Sequence, residues 1–399
     1  MKPVTLSRTA LALLAACAAL PSHAEDGPAI TISGFGTAAL TMSDTDQAEY
    51  IRPGQAAGVR KDPRPGVDSN FGVQATAKWN ETVSFTAQGL MRKFATDQYG
   101  AELAWAFAKY KANDDFSLRA GRIGLPIYLI SDFRNVGYAN TMLRPPAEVY
   151  RQVSVDHVDG VDVIYQHSFD DTAVTAQFAF GKSKTRAPGN YYIDFSTVTA
   201  LHVVVENGPF TYRFGRADAK FSVKDNVGLN GLNATLRAVG LAGIADDLKL
   251  DDVKGSFTSV GMTMDYKNFL IQAEYAKRKT ESLVIHDTSS WYAMFGYRYG
   301  KFTPYYMYGD VKQDSRNEYS ALPTSGPLAP LSAGVNSTIK AGLQSSNAIG
   351  LRWDFYKAAA LKLQIDRISP RNGAGAFINA APGFTGPVNV YAVGIDFVF

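Results

Sequence analysis

The chain has 399 residues, with 40 Lys and Arg against 37 Asp and Glu, a formal net charge of +3 at pH 7. That near balance gives no mandate for nucleic acid, and the length rules out a small disulfide-stapled scaffold. Cys17 is the only cysteine, so neither an internal disulfide nor thiolate chemistry in the mature protein is expected.

Residues 1–24 read as a secretory signal peptide. Lys2 and Arg8 give a positive start, and Ala10 to Leu20 is an apolar run too short to span a bilayer as a helix. Pro21 breaks the run, and Ser22-His23-Ala24 offers small residues for cleavage before Glu25. Leu14-Ala15-Ala16-Cys17 also matches a lipoprotein box, but the apolar residues after Cys17 run straight into the cleavage site. Removing Lys2 and Arg8 leaves 38 basic residues against 37 acidic ones. Residues 25–399 then form a single domain.

Period-2 patterning, which puts alternate side chains on opposite faces of a strand, recurs along that domain. Strands are expected at Ile30–Thr41, Asn70–Trp79, Thr82–Lys93, Tyr99–Ala112, Asp115–Arg122, His157–His167, Thr172–Lys182 and Thr197–Glu206. Eight more follow at Pro209–Phe221, Gly255–Tyr266, Phe269–Thr280, Thr288–Tyr299, Lys301–Asp314, Asn347–Phe355, Ala359–Ser369 and Val388–Phe399.

The connections alternate in length. Asn80-Glu81, Asn113-Asp114, Phe169-Asp170-Asp171, Asn207-Gly208, Lys267-Asn268, Gly300 and Tyr356-Lys357 are tight turns rich in Asn, Asp and Gly. Met42–Ser69, Ile123–Asp156, Ser183–Ser196, Ser222–Lys254, Ser315–Ser346 and Pro370–Pro387 are long. Short periplasmic turns alternating with long external loops mark an outer-membrane barrel, whereas a soluble sandwich has no reason to sort its loops by parity. Leu229, Leu232, Leu236 and Val239 give the fifth loop a short helical spacing.

The strand faces agree. Phe71, Val73, Ala75, Ala77 and Trp79 alternate with Asn70, Gly72, Gln74, Thr76 and Lys78. In the last strand Tyr391, Val393, Ile395, Phe397 and Phe399 form one apolar stripe opposite Ala392, Gly394 and Asp396. A charge facing the lipid midplane costs about 2–4 kcal/mol, so the charged parity should face the lumen. Trp79, Tyr266 and Trp353 fall where an aromatic girdle would lie, and Pro304 is expected near a strand start. Twenty-one Tyr and 23 Phe suit such a wall. Sixteen strands leave an aqueous channel, which eight would fill.

The signal peptide, the Ser33-Gly34-Phe35-Gly36 opening strand, the sixteen-strand layout and the terminal Phe399 together resemble the general diffusion porins of Gram-negative outer membranes. The resemblance implies an all-β fold, a 16-stranded antiparallel transmembrane β-barrel whose third loop, 123–156, folds into the lumen as a constriction. It implies localisation in the outer membrane, contact with outer-membrane lipid and lipopolysaccharide, and passive diffusion of small hydrophilic solutes and ions. The stripe Tyr391, Val393, Ile395, Phe397 and Phe399 resembles the signal read by the barrel-assembly machinery. A homotrimer is also implied. Two departures bear on these expectations. The acidic Pro-Glu-Phe-Gly type motif of many porin constriction loops is missing, and the second loop, Phe94–Gln98, is too short for the usual latch onto a neighbouring subunit.

The third connection carries Asp132, Arg134, Arg144, Glu148, Arg151 and Asp156, and Arg144-Pro145-Pro146 stiffens it. Porins place basic side chains on the facing wall. Lumen parity offers Lys78, Arg92, Arg119, Arg213, Arg278, Arg298 and Arg352, with Arg119 nearest the loop's departure point. Arg92, Arg278 and Arg298 are expected near the outer mouth, and Lys78 and Arg352 near the periplasmic rim. The alternative for each is a pairing with Glu102, Glu274, Asp354 or Asp366. Opposed charges across a narrow opening create a transverse field, here with a mild anion preference.

Enzyme signatures are missing: His157, His167, His202 and His286 show no metal spacing, and there is no HExxH, P-loop or GxSxG elbow. No enzyme activity, cofactor, metal or nucleic-acid partner is expected. Two alternatives remain open. One is a substrate-specific channel for an anion or a sugar, with Tyr292 and Tyr305 stacking on a ring or else bracing the loop. The other is a plugged barrel with an adhesive or structural role.

Overall fold

The computed structural model describes residues 28–189 and 191–399. The expected signal peptide, with Cys17 and the cleavage site, lies outside the described residues. The wall strands are β1 (Ala29–Ser43), β2 (Asn70–Lys78), β3 (Val83–Lys93), β4 (Tyr99–Lys111), β5 (Phe116–Gly124), β6 (His157–Phe169), β7 (Thr172–Ala187) and β8 (Tyr191–Asn207). The others are β9 (Phe210–Lys224), β10 (Val253–Tyr266), β11 (Phe269–Thr280), β12 (Thr288–Tyr297), β13 (Phe302–Gln313), β14 (Leu343–Tyr356), β15 (Ala359–Arg371) and β16 (Val388–Val398). Each pairs antiparallel with its sequence neighbours, and β16 returns to β1 with Phe35 opposite Val398, which closes a 16-stranded barrel. A two-residue segment, Arg64–Pro65, adds a short ladder onto β1. Closure leaves no open sheet edge, so the backbone groups of the wall are paired within it.

The sixteen expected strands are all present, in order. One expected loop is not a loop. Ser183–Ser196 continues β7 and β8 upward, so that only 188–190 separate Ala187 from Tyr191. A register shift between Gly181 and Ser183 carries the ladder past the expected end, with Ser183 opposite Phe195 and Thr185 opposite Ile193. β-Branched and aromatic residues in that stretch favour continued pairing over a turn. β14 likewise starts at Leu343 rather than Asn347.

The two faces separate by parity. Tyr391, Val393 and Ile395 are exposed on the outer face while Ala392 and Asp396 are buried. Exposed Trp79, Tyr266, Phe269, Phe302 and Trp353 ring the rim that carries the short turns. Pro304 is the third residue of β13, where its missing donor costs little. At the opposite, long-loop rim, three helices pack together: α2 (Val227–Ala238), α3 (Ala242–Asp247) and α4 (Ala329–Thr338), with α1 (Ala147–Tyr150) preceding them in the third connection. Leu236, Leu248, Val335 and Ile339 form their shared core, and Asn226 caps α2 through a bond from the Leu229 amide. Among the described residues no helix is long and apolar enough to cross a membrane, which leaves strand crossing untouched.

Candidate functional site

The segment between β5 and β6 is pinned to the polar face of the wall in three limbs. The first limb crosses β9 to β11. Ser259 donates to the Ile127 carbonyl at 2.5 Å, and Glu274 accepts from the Leu129 amide at 2.9 Å. Arg213 reaches the Leu129 carbonyl and the Asp132 carboxylate. Gly215 makes the approach feasible, since a Cβ there would lie 2.5 Å from the Ile127 oxygen.

The middle limb lies over β14 and β15. The Lys362 ammonium donates to the carbonyls of Gly137, Asn140 and Met142 at 2.7, 2.6 and 3.0 Å. It also pairs with Asp396 at 2.7 Å, and both side chains are essentially inaccessible. Arg352 donates to the carbonyls of Tyr138 and Asn140 at 2.7 and 2.8 Å, and the Tyr138 hydroxyl donates to the Lys357 carbonyl in a short turn. The limb therefore reaches the short-turn rim.

The last limb carries α1, started by Pro145-Pro146 with their restricted φ. Arg144 lies buried between Asp68 and Asp366, each in ion-pair contact. Glu148 accepts from the Gln344 amide at 2.6 Å, and burial pushes its carboxyl pKa up, against the lowering effect of Gln344. The Tyr150 hydroxyl donates to Glu274 at 2.6 Å. Burial raises the Asp156 pKa, but the bond with His157 and the charges of Arg92 and Arg134 outweigh it and hold the carboxyl far below its ordinary range.

The expected site residues thus fall into three groups. Asp132, Arg134, Arg144 and Glu148 are in the third connection, but Arg144 and Glu148 are buried anchors rather than solvent-facing charges. The Asp132 side chain is 58% exposed, and Arg134 pairs with Asp156 at 3.3 Å. Arg213 on the wall meets this segment directly, and Arg278 lies at the long-loop rim and donates to the Gln152 carbonyl at 2.7 Å. Arg119 instead pairs across the ladder with Asp162 at 3.0 Å, and Gln177 donates to the same carboxylate at 2.6 Å. Arg298, expected at the outer mouth, lies at the opposite rim, beside Asp265 at 2.6 Å. β12 descends from the long loops, so a residue after its last position belongs to the short-turn end.

Tyr292 and Tyr305 are buried braces. Gln272 donates to the Tyr292 hydroxyl at 2.6 Å, and Tyr305 donates to Gln364 at 2.8 Å. Neither presents a free ring face to a sugar. Two of the expected carboxylates pair with wall arginines, Glu102 with Arg92 at 2.7 Å and Asp354 with Arg352 at 2.9 Å, whereas Asp366 pairs with Arg144 of the connection.

Sequence reasoning missed Lys362 and Asp68. Lys362 is a lone charge between outward-facing Leu361 and Leu363, so its inward parity was legible, but its three carbonyl partners were not. Among the described residues no hydrogen bond joins 125–155 to β4 through β8. The inner face there keeps Lys109, Arg119, Asp162 and Gln177. Also among the described residues, no three His, Cys, Asp or Glu side chains are grouped to hold a metal ion.

No protein-family model and no curated protein matches the chain by sequence. Solved structures do match in shape. In-vitro folded OmpT of Vibrio cholerae, in its trimer form, aligns with a TM-score of 0.55 at 15% identity, over 94% of this chain and 100% of that one. OmpF of Salmonella typhi, in complex with daunomycin, gives 0.55 at 13% identity, over 94% and 99%. The outer membrane channel DcaP of Acinetobacter baumannii gives 0.54 at 12% identity, over 95% and 99%. At such identities the likeness establishes the fold, a barrel shared with outer-membrane proteins.

Proposed function

We propose that this chain is an outer-membrane channel of a Gram-negative bacterium through which small hydrophilic solutes and ions diffuse passively, without chemical transformation. The observation that carries this reading is the one-sided attachment of the third connection. It hydrogen-bonds to β2, β3 and β9 through β15, whereas among the described residues it makes only apolar contacts with β7 and β8 and leaves Lys109 and Arg119 of β4 and β5 without a bond to it. A solute path then runs between Asp132 and Arg134 on the connection and Arg119 and Gln177 on the wall. The charge on both sides sets a mild anion preference, and the width sets the size limit. The fold shared with DcaP, which is an outer membrane channel, supports the same assignment.

In this reading the short turns face the periplasm, the exposed apolar band meets lipid and lipopolysaccharide, and residues 1–24 direct export. The stripe from Tyr391 to Phe399 serves the barrel-assembly machinery, and three copies assemble as a trimer. The test is single-channel conductance of refolded protein in a planar bilayer under a salt gradient. Stable ohmic steps are expected, with Asp132→Asn moving the reversal potential toward anions and Arg119→Gln toward cations. Folded protein without steps would overturn the channel and favour a plugged barrel.

A further inference from the structure

We propose that the long-loop mouth binds an amphipathic organic anion: a carboxylate carried on an aromatic or medium-length alkyl body. A cavity of about 300 Å³ lies there, between the last limb of the third connection and the inner faces of β8 to β11. Its wall is unlike the rest of the lumen. Phe195, Val198, Ala217, Phe221, Phe257 and Ile285 present an apolar surface where water-filled barrels are lined with polar groups. Two guanidinium groups, Arg151 and Arg278, open onto the same cavity.

These two arginines differ from the others in the lumen. Arg92, Arg119, Arg134, Arg144 and Arg213 each have a carboxylate within ion-pair distance. Among the described residues Arg151 and Arg278 have none. Arg278 donates only to carbonyls, to His286 at 3.0 and 2.9 Å and to Gln152 at 2.7 Å. Arg151 donates to the Gly342 carbonyl. Glu148 and Asp287 act on them only from beyond ion-pair contact, and two like charges sharing a partly desolvated space are stabilised by a bound anion. A planar carboxylate satisfies the free N–H groups of such a pair bidentately. The apolar wall selects for the body behind it, because a small inorganic anion leaves that surface wet. A neutral sugar lacks the charge that the two guanidinium groups call for.

Arg151 also lines a second cavity of about 250 Å³, together with Arg92, Arg134 and Arg144. An anion released from the first site therefore meets a further row of guanidinium groups, on the way to the path beside Asp132. That onward transfer rests on the channel reading, whereas binding at the mouth does not.

The experiment is calorimetry on the folded full chain in a neutral maltoside detergent, titrated with phenylbutyrate, acetate and phenylbutyramide. Phenylbutyrate is expected to bind at least about tenfold more tightly than either of the others. Arg151→Gln with Arg278→Gln should weaken it about tenfold or more, and Ala219→Trp, which fills the cavity, should do the same. Equal affinity for acetate would reduce the site to bare charge, and equal affinity for the amide would reduce it to a greasy patch. Either result overturns the proposal, as does no binding of phenylbutyrate by the unaltered protein. The three-probe comparison needs no variant and so stands even if a substitution impairs folding. Conductance in a bilayer separates the two readings. An open pore without binding removes the mouth site alone, and binding without conductance removes the channel and leaves the site.

Discussion

The two halves of the inner wall carry similar charged residues and use them differently. From β9 to β15, Arg213, Glu274, Arg352, Lys362 and Asp366 are bonded to the third connection, largely to its backbone. From β5 to β7, Arg119, Asp162 and Gln177 bond to one another across the ladder. The difference follows from what each group faces. An irregular segment lying on a wall exposes amides and carbonyls that must find partners, and side chains beneath it become structural. Where the segment makes no bonds, cross-strand pairs hold the charges to one another, with Asp162 and Gln177 buried and Arg119 partly exposed.

Breaking the bonded half should have the largest effect. Arg144→Met leaves Asp68 and Asp366 facing each other in a buried space, and losing one partner of such a pair costs about 3–5 kcal/mol. We expect a lower unfolding temperature by heat-modifiable mobility and larger, noisier conductance steps as the last limb detaches. Unchanged steps would mean that Arg144 does not hold the connection in place.

A gentler break acts on the first limb alone. Gly215→Val places carbon against the Ile127 carbonyl, where even a Cβ would approach to 2.5 Å. Overpacking of this kind costs about 1–3 kcal/mol. Limited proteolysis near Ile127 should accelerate, while the Arg144 anchor keeps the last limb protected. Equal sensitivity of both limbs would show that the connection moves as one body.

The smallest effect sharpens the comparison through pH. Burial raises the Glu148 pKa above its ordinary value of 4.5. An acid whose pKa is raised on folding contributes stability that is fully present below the unfolded value and lost as pH rises through the raised one. Glu148→Gln should remove that slope and leave the thermal midpoint flatter between acid and neutral pH. A midpoint profile identical to that of the unaltered protein would locate the titration elsewhere.

Much of the wall was legible in the residues themselves. Tyr391, Val393 and Ile395 announce an outward face because side-chain direction in a strand depends only on parity. Arg298 was misplaced for the converse reason: parity says which face a residue is on, whereas height follows from strand direction. Ser183–Ser196 has the sequence of a loop because a register shift interrupts the alternation without ending the ladder. In the site, the inward parity of Glu274 and Asp366 was clear, but not which segment each would hold.

The sequence by itself therefore determined the number of strands, their faces and the alternation of short and long connections. Those properties depend on neighbours a few positions apart, through the period of the extended chain and the geometry of tight turns. Only the tertiary structure decided which charges anchor the third connection and which pair across the ladder. Lys362 meets the Gly137 carbonyl across 225 positions of chain. Arg144 meets Asp366 across 222. Such contacts exist because barrel closure brings β15 beneath the middle and last limbs of the third connection, and no local pattern encodes that approach.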